Sequence, residues 1–344
     1  MNTKRGLPDS CTSYHRAVRV ELESVIDSSP PVLGNMLRYH MGLQDQNDCA
    51  CEGGSGKLIR PGICLLSCRA AGGDTSQALP AAAAVELIHN FSLIHDDIED
   101  ASEERHHRPA VWTLWGTPQA INAGDAMFAL AYLALLRLSE RGLAYDKIAR
   151  SAQMLSHACL ELCEGQYHDI AFENRLDITI EDYLGMAGKK TAALLAASTS
   201  LGAYLGSGDE LMVDSFYLFG RELGMAFQIR DDIIGIWGTE DNIGKPATDI
   251  PKKKKTLPVV YGLQHGADIH RERLQQLYTQ GLIGNSDTDE VKTILEASGA
   301  RDYAESMAEQ YHYRALAALG ACGLDLSGMA PLEELARFLL RRDF

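Results

Sequence analysis

Two stretches of apolar residues at helical spacing each run straight into a block of carboxylates. Val85-Glu86-Leu87-Ile88-His89-Asn90-Phe91-Ser92-Leu93-Ile94-His95 leads into Asp96-Asp97-Ile98-Glu99-Asp100. Leu223-Gly224-Met225-Ala226-Phe227-Gln228-Ile229 leads, one residue on, into Asp231-Asp232-Ile233-Ile234-Gly235. Carboxylates four residues apart share one helix face. Acids at the end of a buried face are costly unless something cationic joins them. Hard divalent cations, magnesium above all, suit oxygen-only sites completed by substrate phosphates. Metal-held diphosphate is therefore the leading reading of the two blocks.

The pattern around them is almost wholly helical. Ala- and Leu-rich amphipathic segments recur, and no period-2 run competes with them. The spacing predicts helices near residues 14–27, 31–42, 58–72, 78–101, 118–141, 145–172, 180–205, 209–237, 255–265, 287–297, 300–320 and 331–342. Pro30-Pro31, Gly72-Gly73-Asp74, Gly206-Ser207-Gly208 and Gly238-Thr239-Glu240-Asp241 punctuate them. No low-complexity linker or fixed repeat divides the chain. The expectation is one all-α domain over residues 1–344, a helical bundle around a deep central cavity.

Composition narrows the function classes. Hydrophobic residues make up 46% of 344, enough for a sizeable core. The net charge of −15 argues against nonspecific binding to nucleic acid or anionic membrane. An acidic chain that handles an anionic substrate needs local cations, as metal or as clustered Lys and Arg. The longest apolar run, Ala126 to Leu136, falls far short of the ~20 residues a spanning helix needs and reads as a buried core helix. No stable membrane insertion is expected. The N-terminus carries no apolar signal region, and the eight cysteines match no zinc spacing. Reduced thiols in a cytoplasmic protein are the expectation.

Cationic candidates follow the chain in order. Gly53-Gly54-Ser55-Gly56-Lys57-Leu58-Ile59-Arg60-Pro61 is not a nucleotide P-loop, because Cys51 and Leu58 stand where Gly and Ser or Thr are needed. It leaves Lys57 and Arg60 on one face at a helix start, suited to a diphosphate. Arg105-His106-His107-Arg108 follows the first acidic block. The run Lys252 to Lys255, taken alone, reads as a solvated loop.

Together with Gly188-Lys189-Lys190-Thr191-Ala192, Phe227-Gln228-x-x-Asp231-Asp232, Gly244-Lys245-Pro246 and Asp249 to Pro258, these residues resemble the trans-type isoprenyl diphosphate synthases, the polyprenyl synthetase family. The fit runs from about Gly53 to Pro258, and the ordered set is specific where each motif alone is not. The resemblance implies an all-α homodimer with both acidic motifs facing each other across a deep cavity, and two or three magnesium ions. Asp96, Asp97 and Asp100 would hold metal bound to an allylic diphosphate, and Asp231 and Asp232 a further ion. Arg105, Lys190 and Lys245 look like allylic diphosphate ligands. Lys57, Arg60 and His89 look like the site of isopentenyl diphosphate. Lys190, Thr191 and Gln228 would turn dipoles toward a carbocation, and Lys254 matches the family's late lysine. Phe91 and Ser92 stand five and four residues before Asp96. Five residues of helix rise about 7.5 Å, which puts this turn below the metal site. The bulky ring with a serine beside it resembles geranylgeranyl diphosphate synthases, with a twenty-carbon product; ordinary core packing is the alternative for Phe91.

Three positions depart from the family pattern. His106 replaces an arginine expected to bind isopentenyl diphosphate, and Arg108 is a candidate substitute. Gly235 stands where the second motif ends in Asp, so one carboxylate is missing. Trp112 stands where His is common.

Competing readings are a farnesyl or longer-chain synthase, a class I terpene cyclase, a non-catalytic synthase subunit and a di-iron carboxylate protein. A cyclase would want an Asn/Ser/Glu metal triad where this chain has Asp231-Asp232. A non-catalytic subunit should have lost aspartates from the first motif. A di-iron protein needs paired Glu-x-x-His turns, and the spacing occurs at Glu86/His89, Glu104/His107 and Glu309/His312.

Overall fold

The structure, a computed structural model, describes residues 7–47, 49, 51, 56–238, 248–281, 283–324 and 326–341. The helices are α1 (Asp9–Thr12), α2 (His15–Ile26), α3 (Pro31–His40), α4 (Ile59–Ala70) and α5 (Thr75–Glu99), then α6 (Val111–Trp115), α7 (Thr117–Leu136), α8 (Tyr145–Phe172), α9 (Ile180–Ala187), α10 (Ala193–Gly206) and α11 (Glu210–Trp237). After them come α12 (Leu257–His265), α13 (Asp268–Thr279), α14 (Asn285–Ala297), α15 (Ala300–Gly320) and α16 (Leu326–Arg341). The expected all-α class holds. One short hairpin, β1 (Glu104–Arg105) paired antiparallel with β2 (Arg108–Pro109), interrupts it.

The chain forms two compact units. Unit 1 is Met1–His157, Ala197–Phe216 and Leu324–Leu332; unit 2 is Ala158–Ala196, Tyr217–Gly323 and Glu333–Phe344.

In unit 1 the spine is α5. Asp74 caps its N-terminus by accepting from the Ser76 N–H at 2.9 Å. That cap starts the helix at Thr75, ahead of residue 78, where the apolar pattern begins. The four alanines Ala81 to Ala84 are fully buried and let neighbours approach closely. α4 and α7 pack on α5. Gly202 and Gly206 of α10 lie against the backbone carbonyls of Cys64 and Cys68 on α4, so near that a β-carbon would collide with them.

The apolar run on α7 is half of what the sequence suggested. Ala123, Met127, Leu130, Ala131 and Ala134 are buried, as a core helix requires. Ile121, Phe128, Leu133 and Leu136 are exposed. The segment Thr117–Arg141 is long and apolar enough by composition to cross a membrane, yet one face of it is core.

In unit 2 one core joins Tyr183, Met186, Ile229, Ile233, Leu257 and Val260. A second gathers Ile236, Val259, Leu263, Leu274, Leu277 and Tyr278.

Sequence and structure differ at specific points. Helix α13 escapes periodicity because its buried apolar residues are only Leu274, Leu277 and Tyr278 in a polar segment, with Ile269 exposed. Helices α1 and α6 are too short to show a period. The helix expected over 118–141 tightens into a 3₁₀ turn at Arg137–Arg141 and stops at Gly142, φ +84°. The helix expected over 180–205 widens into a π segment at Gly188–Ala192.

The α4–α10 contact gives a direct test. Gly202→Ala should lower the unfolding free energy by about 1–3 kcal/mol, because the new methyl meets backbone that cannot rotate away. Denaturant unfolding measures it; an unchanged midpoint would mean that α10 sits farther from α4 than described.

Candidate active site

The predicted site residues divide between the units. Unit 1 holds Lys57, Arg60, His89, Phe91, Ser92, Asp96, Asp97, Asp100, Arg105 and His106; unit 2 holds Lys190, Thr191, Gln228, Asp231, Asp232 and Lys254. Lys245 lies outside the described residues.

In unit 1, Asp96, Asp97 and Asp100 close the C-terminal turn of α5. Asp96 and Asp100 are half-buried one turn apart, with the Asp100 N–H donating to the Asp96 carbonyl at 2.8 Å. Asp97 points elsewhere. It is buried, and Arg105 donates to it through Nε at 3.1 and 3.3 Å and through Nη2 at 2.6 Å. The hairpin makes this pair possible. His106 and His107 occupy its two-residue turn at φ +53° and +58°, the left-handed backbone of a type I′ turn usually built with Asn-Gly. Each carries roughly 1–2 kcal/mol of strain for a residue with a β-carbon. The sequence pattern missed this element, since a two-residue strand has no readable period.

Trp112, one of the departures, and Arg108 hold the same corner. The Trp112 indole N–H donates to the Ser102 carbonyl at 2.8 Å, and the Ser102 N–H donates to the Asp97 carbonyl at 2.8 Å. Arg108, the candidate substitute for the missing arginine, donates to the carbonyls of Tyr39 at 3.0 Å and Gln44 at 2.8 Å. Its guanidinium also lies 4.0 Å from the Tyr39 ring centroid. It braces the hairpin against α3.

Farther along α5, Arg60 Nη1 meets His89 Nε2 at 3.1 Å. Burial, with Arg60 and Arg105 nearby, holds the His89 pKa well below its ordinary value. The imidazole is therefore neutral and accepts from the guanidinium. Burial, aided by Arg105 and His106, pushes His40 down to about 3. Unit 1 thus concentrates guanidinium charge beside imidazoles that stay neutral. Lys57 is exposed at the entry to α4.

Phe91 is buried and meets Phe128 of α7 edge to face, centroids 5.4 Å apart; Phe128 meets Tyr132 at 5.1 Å. Ser92 is buried, its hydroxyl donating to the His89 carbonyl at 2.7 Å. Phe128 escaped the sequence reading because only packing pairs α7 with this turn of α5.

In unit 2, Lys190 and Thr191 sit on the π segment. A β-carbon at Gly165 of α8 would fall inside the Lys190 backbone, and one at Gly224 of α11 would come within 2.5 Å of the Ala192 Cα. Two glycines thus let backbone close in on both sides of the widened turn. A π turn displaces carbonyls from their regular partners, and such turns concentrate at functional sites.

Lys190 Nζ pairs with Asp169 at 2.6 Å, and Lys254 Nζ reaches the same oxygen at 3.5 Å. Burial raises the Asp169 pKa, but the two lysines outweigh it and hold the carboxyl below its ordinary value. Asp169 was not legible in the sequence, since only the fold says which acid answers which lysine. The lysine run is not the solvated loop expected of it. Lys253 donates to the Gln280 carbonyl just past α13. Lys255 is buried, donates to the Glu173 carbonyl past α8 at 2.7 Å, and lies 5.1 Å from the Tyr278 ring centroid. Burial brings its pKa down to about 8.

Asp231 is half-buried, while Asp232 is buried and engaged. Tyr183 Oη donates to Asp232 Oδ2 at 2.5 Å, the Leu257 N–H to the same oxygen at 2.8 Å, and Gln228 Nε2 to Oδ1 at 2.9 Å. Thr191 Oγ1 donates to Gln228 Oε1 at 2.6 Å. Asp232, expected among metal ligands, thus has both oxygens committed to protein donors. At Gly235, the space a side chain would need is filled by the carboxylate of Asp249.

No three His, Cys, Asp or Glu side chains converge as a metal cluster among the described residues. Magnesium takes one or two carboxylates and completes its shell with water and phosphate rather than an all-protein cage. Asp96, Asp100 and Asp231 supply hard oxygen donors of this kind. Of the three Glu-x-x-His spacings, Glu104/His107 lies in the hairpin and not on a helix turn.

Comparison with known proteins agrees with the motifs. The family model described as Polyprenyl synthetase matches residues 48–298. A (2E,6E)-farnesyl diphosphate synthase of Mycobacterium tuberculosis is 36% identical over 344 residues, covering 99% of this chain and 94% of its own. A geranylgeranyl diphosphate synthase of the same organism is 37% identical over 323 residues, covering 94% and 90%. Among solved structures, a polyprenyl synthetase from Streptomyces coelicolor A3(2) superposes with a TM-score of 0.88 at 35% identity, covering 96% of this chain and 99% of that one. A geranylgeranyl pyrophosphate synthetase from Pyrococcus horikoshii gives 0.87 at 34%, covering 96% and 97%.

Asp232 also sets a pH dependence. Burial, reinforced by Asp249, raises its carboxyl from 3.8 to about 7, against the pull of the Tyr183, Leu257 and Gln228 donors. The folded value is the higher, so the neutral acid favours the fold below about pH 4 and that contribution is lost as pH rises through about 7. Unfolding free energy in chelator should therefore fall for wild type relative to Asp232→Asn across that window, by on the order of a few kcal/mol. A pH-independent difference would refute the shift.

Proposed function

The chain belongs to the polyprenyl synthetase family, and from that we propose a prenyltransferase that condenses isopentenyl diphosphate with an allylic prenyl diphosphate. The observation that carries this is the division of charge. Carboxylates cluster toward the ends of two helical segments, at Asp96 to Asp100 and at Asp231 to Asp232, and cations stand apart from them at Lys57, Arg60, Lys190 and Lys254.

Arg105, Lys190 and Lys245 bind the allylic diphosphate in this reading. Lys57, Arg60 and His89 bind isopentenyl diphosphate, and His106 adds a positive charge when protonated. Asp96 and Asp100 would hold magnesium and Asp231 a further ion, while Arg105 holds Asp97. Magnesium, when bound, stabilises the charge that develops on the leaving diphosphate. The Asp249 carboxylate fills the space at Gly235 and keeps acidic density at the end of the second motif. Lys254 shares Asp169 with Lys190, so one acid sets the position of both ammonium groups. As the allylic diphosphate ionises, a delocalised cation forms beside the Lys190 carbonyl, the Thr191 hydroxyl and the Gln228 amide. The double bond of isopentenyl diphosphate attacks it, and a proton leaves to the departing diphosphate. No protein nucleophile is required. A one-substrate cyclase would leave the Lys57, Arg60 and His89 group without a task.

The product is geranylgeranyl diphosphate in this reading. Identity to the relatives does not choose between fifteen and twenty carbons, since the farnesyl and geranylgeranyl enzymes are 36% and 37% identical to the chain. The support is local. Phe91 and Phe128 bound the turn below Asp96 with two rings, beside the small Ser92. Purified protein with magnesium, labelled isopentenyl diphosphate and five-, ten- or fifteen-carbon primers should give a twenty-carbon diphosphate, and Phe91→Ala should lengthen it. Failure to condense any primer, or release of a hydrocarbon, would sink the synthase reading.

The whole chain acts as one catalytic domain in this reading, and a second copy covers the exposed stripe of Ile121, Phe128, Leu133 and Leu136 on α7. Such a stripe is costly in water and suits an obligate interface. The enzyme is cytoplasmic in this reading, with thiols and no disulfides among its described cysteines. Light scattering should report two chains for wild type and one for Leu133→Glu; a monomeric wild type would refute the dimer.

A further inference from the structure

We propose that Asp232 is a positioning residue that sets the polarity of the Thr191 hydroxyl, through Gln228, and is not a metal ligand. The proposal rests on the reading above that Thr191 faces the allylic cation.

Donor and acceptor roles fix the direction of each bond. An ionised carboxylate only accepts hydrogen bonds. Gln228 must therefore turn its NH2 toward Asp232, as the 2.9 Å contact from Nε2 to Oδ1 records. A planar amide that points its nitrogen one way points its oxygen the other. That oxygen carries no proton, so the Thr191 hydroxyl spends its single proton on it, at 2.6 Å. Thr191 then has only lone pairs to present elsewhere, the sign a neighbouring carbocation requires. The negative charge of Asp232 is relayed as a dipole direction across two side chains.

The far end of the relay is fixed. Asp232 Oδ2 accepts from the Tyr183 hydroxyl at 2.5 Å and from the Leu257 N–H at 2.8 Å. Tyr183 is fully buried in the core of unit 2, and Leu257 opens α12. Its N–H is one of the groups a helix start leaves without an intrahelical partner. Asp232 thus caps α12 from a different helix. It is also separated from Asp231 by one residue of α-helix, about 100° around the axis. The two neighbours serve different faces.

The isosteric change Asp232→Asn reverses the relay. The new amide keeps its oxygen on Tyr183 and Leu257 and turns its NH2 to Gln228. Gln228 must then flip, offer its NH2 to Thr191, and leave the Thr191 proton pointing outward. We expect kcat at pH 8.5 to fall about 100-fold, with both diphosphate KM values within twofold of wild type. Mn2+ affinity in the presence of inorganic pyrophosphate, read by electron paramagnetic resonance, should not change, whereas Asp231→Asn should weaken it. Adding Gln228→Glu to Asp232→Asn restores the direction, because the new carboxylate accepts from both the new amide and Thr191. The double variant should recover kcat at least tenfold over Asp232→Asn, although Gln228→Glu alone sets two carboxylates together and is impaired. In a Thr191→Val background, Asp232→Asn should have no further effect on kcat.

Loss of Mn2+ affinity in Asp232→Asn, or no recovery in the double variant, would overturn the proposal. Thermal melts of wild type, Asp232→Asn, Gln228→Glu and the double variant keep it separable from the function. A positive coupling between the two substitutions in Tm supports the relay even where wild type condenses nothing, which would sink the synthase reading instead. Additive shifts in Tm would overturn the relay.

Discussion

A carboxylate taken out of water must be given donors, and the donors given to Asp97, Asp169 and Asp232 organise the regions around them. Asp97 takes a guanidinium, Asp169 takes two ammonium groups, and Asp232 takes a phenol, an amide and a backbone N–H. Removing one partner from a buried charge is far more damaging than the pair is stabilising. The elements that supply the donors are therefore held as firmly as the acids. The β1–β2 hairpin carries two residues in the left-handed region, a strain tolerated because the turn brings Arg105 back onto Asp97 only eight residues away. Trp112 and Arg108 tie that turn down from outside.

The same constraint explains the lysine run. Four adjacent ammonium groups repel one another in solution, but in unit 2 three of them find different acceptors. Lys253 and Lys255 end two helices, α13 and α8, where carbonyls lack partners and the helix dipole favours a cation. Lys254 between them is left to reach Asp169 with Lys190. Capping on either side of one lysine thus fixes the register of the one that the proposed chemistry needs.

Backbone proximity does a second, independent task. The π segment at Gly188–Ala192 lies between Gly165 and Gly224, two positions where a methyl group would collide with main chain. Side chains at these points would push the segment away and let the turn relax. The glycines set how close α8 and α11 come to it, and so where the Lys190 carbonyl and the Thr191 hydroxyl point.

What was legible in the sequence was whatever a local period or a local spacing records. The long helices declared themselves by apolar residues every three to four positions, and α8 and α15 begin and end where the pattern says. The acidic blocks and the order of the basic motifs were enough to indicate the class of chemistry. Partner choice was not legible. Nothing local says that Arg105 belongs to Asp97, that Asp169 serves both Lys190 and Lys254, or that Asp232 turns to Tyr183 and away from Asp231. Nor does a local pattern show that Phe128 meets Phe91, or that Asp249 fills the space at Gly235. The sequence alone determined which residue types sit on which helix, because side-chain period follows from backbone geometry. Tertiary structure decided which donors each of these acids meets, because desolvation and hydrogen-bond geometry depend on neighbours brought from far along the chain.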